Sequence, residues 1–135
     1  MAASWEAGHG GGMARPTVLV VEDDRDLSEA LRHLLQLEGF ETICVGDGAA
    51  ALEYLRASPS PCLVLLDLML PKIDGARVRE ALRRDPRLRT VPVVILSSRT
   101  DTPLTARRLD AGYLTKPFEA GVLLETVRHY AAGAR

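Results

Sequence analysis

The chain has 135 residues, 47% of them hydrophobic, 4% aromatic and 26% charged, which suits one domain with one aliphatic core. A formal net charge of -1 gives no strong field for DNA or an anionic membrane, so direct nucleic-acid binding is not expected. No apolar run nears the roughly 20 residues of a membrane span, and residues 1–12 lack the basic and apolar regions of a signal peptide; a cytoplasmic protein with no membrane partner is expected.

Residues 1–14 are small and glycine-rich, with Gly8, Gly10, Gly11 and Gly12 close together. Such a stretch buries too little apolar area to offset its ordering entropy. A disordered tail over 1–14 and one domain over 15–135 are therefore expected, with Met13 as a second candidate start. Residues 17–21 (TVLVV) form an apolar run that reads as a buried strand and ends in Glu22, Asp23 and Asp24. Asp26 with Glu29 three residues on has the form of an N-cap and capping box. Leu27, Leu31, Leu34 and Leu35 then share one helix face, and Gly39 is placed to end that helix. A short strand over 41–45 follows. Asp47 can cap a helix to about Ala57, with Ala51, Leu52 and Leu55 inward, and Pro59 and Pro61 close the unit.

Residues 61–71 (PCLVLLDLMLP) are the centre of the pattern. A continuous apolar run bounded by prolines reads as a strand buried on both faces, as in the middle of a parallel sheet. Such sheets place their ligand sites beyond the carboxyl ends of the strands, which is where Asp67 falls. An aspartate there also suits a simple turn cap. Asp74 and Gly75 can start a helix with Val78 and Leu82 inside, stopped at Asp85 and Pro86. A fourth strand over 91–96 ends in Ser97 and Ser98. Thr102 and Pro103 make a good helix start, with Leu104 and Leu109 on the apolar side. A fifth strand over 112–115 ends at Lys116 and Pro117. The last helix runs from about Phe118 to Ala132, with Leu123, Leu124, Val127 and Tyr130 on one face. Five strands alternating with five helices imply, through right-handed crossovers, an α/β doubly wound parallel sheet with helices on both faces.

In a parallel sheet the strand ends share one edge, so Glu22, Asp23, Asp67, Ser97 and Lys116 are brought to one rim. Three close carboxylates repel unless a cation intervenes. One divalent ion and Lys116 balance them, and carboxylate oxygens suit Mg2+, which keeps waters and accepts phosphate oxygens. A carboxylate beside Mg2+, a lysine and a hydroxyl can attack a phosphoryl group and become an aspartyl phosphate. Singly each signal is weak, since an acidic pair after a strand is more often a solvated turn. In conjunction, each at a strand end, they point to one site. His9, His33 and His129 have no metal-ligand spacing and none is placed to carry a phosphoryl group.

Residues 20–24 (VVEDD), 66–75 (LDLMLPKIDG), 94–98 (VILSS) and 113–118 (YLTKPF) resemble the receiver domain of two-component response regulators over about residues 16–132. The resemblance implies a flavodoxin-like (βα)5 fold with strand order 2-1-3-4-5. It implies that Asp67 is the phosphoacceptor and that Asp23 is a direct Mg2+ ligand. Glu22 would act through a metal-bound water, and the Met69 main-chain carbonyl would be a further ligand. Ser97 and Lys116 would hold the phosphoryl group, Tyr113 would be the aromatic switch residue, and the bond from Lys116 to Pro117 would be cis. A sensor histidine kinase or a histidine phosphotransfer protein would donate. The face of the fourth helix, fifth strand and fifth helix would be read by an output protein or a second copy. The chain would be no enzyme beyond its own phosphorylation and dephosphorylation. Met69 and Arg99 would flank the path of the hydrolytic water and set the phosphate lifetime. In the implied strand order, Cys44 and Cys62 are separated by the first strand, at roughly 9.5 Å, too far for a disulfide.

The pattern departs from the family in one place: residues 109–113 run directly to the aromatic, so the fourth helix or the loop after it is shorter. Two other readings compete. A haloacid-dehalogenase-type phosphatase would need a second Asp two residues after the nucleophile, where Met69 stands. A pseudo-receiver scaffold would have no use for a full set of site residues. A DNA-binding regulator would need a further domain beyond Arg135.

Overall fold

The computed structural model describes residues 15–69 and 75–133. Their elements alternate as β1 (Thr17–Val21), α1 (Arg25–Leu37), β2 (Glu41–Val45), α2 (Gly48–Ala57), β3 (Leu63–Asp67), α3 (Gly75–Arg84), β4 (Val93–Ser97), α4 (Thr102–Arg108), β5 (Gly112–Thr115) and α5 (Ala120–Gly133). The expectations for residues 1–14, including the start at Met13, and for a helix start at Asp74 lie outside the described residues. All strand pairings are parallel, in the order β2-β1-β3-β4-β5. That is the flavodoxin-like order the resemblance implied.

Alternation along each strand divides the core into two layers. Val18 and Val20 of β1, Leu63 and Leu65 of β3, and Val94 and Leu96 of β4 face α1 and α5, where they meet Leu31, Leu35, Leu123 and Val127. Leu19, Val21, Val64, Leu66 and Val93 face the other way and meet Ala51 and Leu55 of α2 and Val78 and Leu82 of α3. The central strands therefore have no solvent-facing side, which is why they read as continuous apolar runs. Cys44 on β2 and Cys62 before β3 are not joined in a disulfide, with β1 between their strands.

Local chemistry sets the helix ends and corrects several expectations. The cap of α1 is Asp24, not Asp26: Asp24 is extended (φ -77°, ψ 110°), and its Oδ1 accepts from the N–H groups of Asp26 at 3.0 Å and Leu27 at 3.2 Å. Asp26 is already in the first turn, where its charge suits the helix dipole. Gly39, at φ +93°, takes the left-handed turn that ends α1. Asp47 caps α2 through Ala50 N–H at 2.7 Å. Phe118 lies outside α5, packed on the core layer beneath α1 and α5.

The fourth helix is short, with seven residues. Its buried residues are Thr102 and Ala106, four apart, so Leu104 between them points outward and is 57% exposed rather than apolar-side. Leu109 caps the helix and packs beside Leu68, Ile95 and Ala106. Asp110 follows at φ +55°. Buried Arg79 on α3 anchors this tight corner: its Nε donates to the Leu109 carbonyl at 2.9 Å and its Nη2 to the Asp110 carbonyl at 3.0 Å. No helix among the described residues is long and apolar enough to cross a membrane.

Candidate functional site

The alternation that builds the layer under α1 and α5 continues past the strand ends. Val18 and Val20 lead to Glu22, Leu63 and Leu65 to Asp67, and Leu114 to Lys116, so these three side chains emerge on the same side of the sheet at its carboxyl rim. Parallel pairing fixes their height, with Val21 opposite Leu66 and Asp67 opposite Leu96. Lys116 Nζ lies 2.8 Å from Glu22 Oε1 and 3.4 Å from Asp67 Oδ2. The peptide bond after it, to Pro117, is cis, as the resemblance implied.

One carboxylate oxygen from each of Glu22, Asp23 and Asp67 lies within 4.8 Å of the others. Glu22 and Asp67 are buried and Asp23 is exposed, so the cluster opens to solvent on the Asp23 side. Burial is the main force raising the Glu22 pKa, aided by the charge of Asp67 and opposed by the hydrogen bonds from Lys116 and the Asp24 N–H. Burial alone would push the Lys116 ammonium down. The hydrogen bond to Glu22 and the charge of Asp67 outweigh it and leave Lys116 above the usual lysine value. Among the described residues, three carboxylates face one ammonium, a net negative set. This all-oxygen donor set, open on one side, fits a hard divalent cation that keeps part of its water shell.

The other sequence-derived residues surround this cluster without all joining it. The Met69 N–H donates to Asp67 Oδ1 at 3.0 Å, while the Met69 side chain is 61% exposed at the rim. Ser97 is buried, and its Oγ accepts the Arg99 N–H at 3.1 Å. Tyr113, paired with Ile95, is 45% exposed on the edge strand and stands outside the core. Arg99 turns to Asp101, donating from Nε at 2.9 Å and from Nη2 at 2.7 Å. A cleft of about 340 Å³ beside Lys116 is lined by Asp24, Leu27, Ser98, Pro117 and Phe118.

Two contributors were not singled out from sequence. Gly75 packs so closely on the site that a Cβ there would sit 2.7 Å from the Asp67 carbonyl oxygen and 3.0 Å from Leu68 Cα. The pair of Asp74 and Gly75 was legible as a helix start, but the close approach of Gly75 was not. Asp101 is the second; a carboxylate two residues from an arginine in a loop has no periodic signal.

The profile of the family described as "Response regulator receiver domain" matches residues 18–128. The chain is 44% identical over 117 residues to the DNA-binding response regulator MtrA of Mycobacterium tuberculosis (strain ATCC 25618 / H37Rv), covering 84% of this chain and 50% of that protein. The chain thus spans about half the length of the curated relatives it matches. Among solved structures, a putative response regulator from Chloroflexus aurantiacus J-10-fl superposes with a TM-score of 0.81 at 29% identity, covering 87% of this chain and 98% of that one. The Mn(2+)-bound form of response regulator Rcp1 gives 0.71 at 33% identity, covering 84% and 90%. A doubly wound sheet with an acidic triad and a lysine at its carboxyl rim, matched by this profile over most of its length, belongs to the receiver domain family of two-component response regulators.

Proposed function

We propose that Asp67 is the phosphoacceptor of this receiver and that Glu22, Asp23, Ser97 and Lys116 serve its phosphorylation. The observation that carries the reading is the ammonium of Lys116 shared between Glu22 and Asp67, with one carboxylate oxygen from each of Glu22, Asp23 and Asp67 gathered around one point. Asp23, Asp67 and the main-chain carbonyl of Met69, with Glu22 beside them, would hold Mg2+. When bound, the ion supplies positive charge to the phosphoryl oxygens during transfer. Rcp1, a relative of the same fold, has been seen with Mn2+, which supports a divalent cation here.

The Asp67 carboxylate attacks the phosphorus of a phosphohistidine on a sensor histidine kinase or phosphotransfer protein. A P–O bond forms, the P–N bond breaks, and its electron pair returns to the imidazole. The Met69 N–H, on Asp67 Oδ1, orients the carboxylate. Lys116 exchanges a carboxylate oxygen for a phosphoryl oxygen, and the Ser97 hydroxyl donates to another. The cleft beside Lys116 gives the donor protein an approach.

The phosphoryl group adds roughly two negative charges. Movement of Ser97 toward it, followed by Tyr113 turning inward, would reshape the face of α4, β5 and α5. Leu104 of α4, Tyr113 of β5 and Val122 of α5 are exposed, groups an output protein or a second copy could cover. The chain is then a switch that catalyses only its own loading and unloading; the phosphatase reading is not favoured. Incubation with a small acyl phosphate and Mg2+, followed by intact mass, tests this. Gain of one phosphoryl group, lost in EDTA, is expected; an unchanged mass with Mg2+ present would overturn the reading.

A further inference from the structure

Arg99 and Asp101 form a bidentate pair on the loop between Ser97 and α4. Its placement is informative for two reasons. Asp101 occupies the N-cap position of α4, yet its side chain accepts no hydrogen bond from the helix. Aspartate is among the preferred capping residues, and Asp24 and Asp47 cap their helices in this same chain. The backbone of Asp101 (φ -92°, ψ 14°) lacks the extended form in which Asp24 and Asp47 cap, and its carboxylate is paired with the Arg99 guanidinium instead. Arg99 in turn is tied to the site through its backbone, since its N–H lies on Ser97 Oγ at 3.1 Å. Its carbonyl accepts from the N–H of Thr102 at 3.4 Å and from Thr102 Oγ1 at 2.7 Å, and Thr102 is fully buried. The loop is therefore anchored at both ends, and the mobile part of Arg99 is its guanidinium.

We infer that Asp101 is a positioning residue: it holds the Arg99 guanidinium on the loop, in competition with the phosphoryl group of loaded Asp67. This rests on the assignment of Asp67 as phosphoacceptor. A guanidinium pairs bidentately with phosphate as readily as with carboxylate, and the phosphoryl group carries more charge than Asp101. In the resting protein the carboxylate is the partner. In the loaded protein Arg99 divides its time between the two, and each moment on a phosphoryl oxygen screens the phosphorus from water. Arg99 has donors only, so it cannot activate that water. Asp101 thereby shortens the phosphoryl lifetime by drawing the screen away.

The test follows the decay of the aspartyl phosphate after donor removal in wild type, Asp101→Asn, Arg99→Ala and the double variant, with melting temperatures to confirm folding. Because both partners are about half exposed, the pair is a modest one. Asp101→Asn is expected to slow the decay about fivefold. In the Arg99→Ala background the same substitution should change the rate less than about twofold. An Asp101→Asn protein that decays at the wild-type rate or faster overturns the inference, as does an equal slowing with and without Arg99. If wild type gains no phosphoryl group at all, the assignment of Asp67 fails instead, which the intact mass reports separately.

Discussion

Replacing Lys116 by methionine, close in length but uncharged, isolates the electrostatic role of the ammonium. It leaves Glu22, whose side chain is 1% exposed, and Asp67, 6% exposed, without their shared cation. Removing one partner of a buried pair costs about 3–5 kcal/mol. Two features reduce that cost: the lysine side chain is 23% exposed, so water partly fills its place, and Glu22 can take up a proton. A loss of about 2–3 kcal/mol at pH 7 in EDTA follows, or about 8–12 °C in melting temperature for a domain of this size. The pH dependence has a definite sign. The folded-state pKa of Glu22 is raised above 4.5, so its charged form opposes folding at neutral pH. Lowering the pH through the folded pKa toward 4.5 relieves that penalty, and the variant, with no ammonium opposing the rise, should regain part of its lost stability on moving from about pH 7 to about pH 5. In wild type the Lys116 contribution is complete below pH 10.5 and is lost only as pH rises through its raised folded value. Mg2+ should recover more stability in the variant than in wild type, because its charge replaces the missing one. Calorimetry across pH, with and without Mg2+, measures these effects. A variant melting within about 2 °C of wild type in EDTA would refute the reasoning.

Gly75→Ala places a methyl against the backbone of Asp67 and Leu68, atoms that cannot swing aside; phosphorylation by a small donor should slow by about tenfold or more, with a stability loss of about 1–3 kcal/mol by urea titration. An alanine protein phosphorylated at the wild-type rate would mean the loop yields without disturbing Asp67. Met69→Asn combined with Arg99→Glu supplies groups that can orient water where the native pair cannot, so the loaded protein should lose its phosphoryl group several-fold faster than wild type. An equal or slower decay would remove both side chains from control of the lifetime.

The sheet was legible because its central strands are buried on both faces, so TVLVV, LVLL and VVILS announce themselves without knowledge of their neighbours. Part of the rim was legible for the same reason: Glu22 and Asp67 interrupt apolar runs where packing alone gives no cause for charge, whereas Lys116, after the short edge strand GYLT, gained meaning only in conjunction with them. What escaped depends on geometry finer than a period. Asp24 and Asp26 are both able to cap, and only the extended backbone of Asp24 decides between them. Leu104 was placed inward because seven residues hold too few turns to fix a helical face, and the buried pair proved to be Thr102 and Ala106. The shortened stretch before Tyr113 was visible as a missing length. Its solution was not: buried Arg79 reaches from a helix some thirty positions earlier to hold the carbonyls of Leu109 and Asp110.

The most direct measurement is intact mass after incubation of wild type and Asp67→Asn with a small acyl phosphate and Mg2+. Wild type should gain one phosphoryl group, and Asp67→Asn, which keeps the shape but loses the nucleophilic oxygen, should gain none. An asparagine protein that is phosphorylated as fully as wild type would contradict the assignment of Asp67 as the phosphoacceptor.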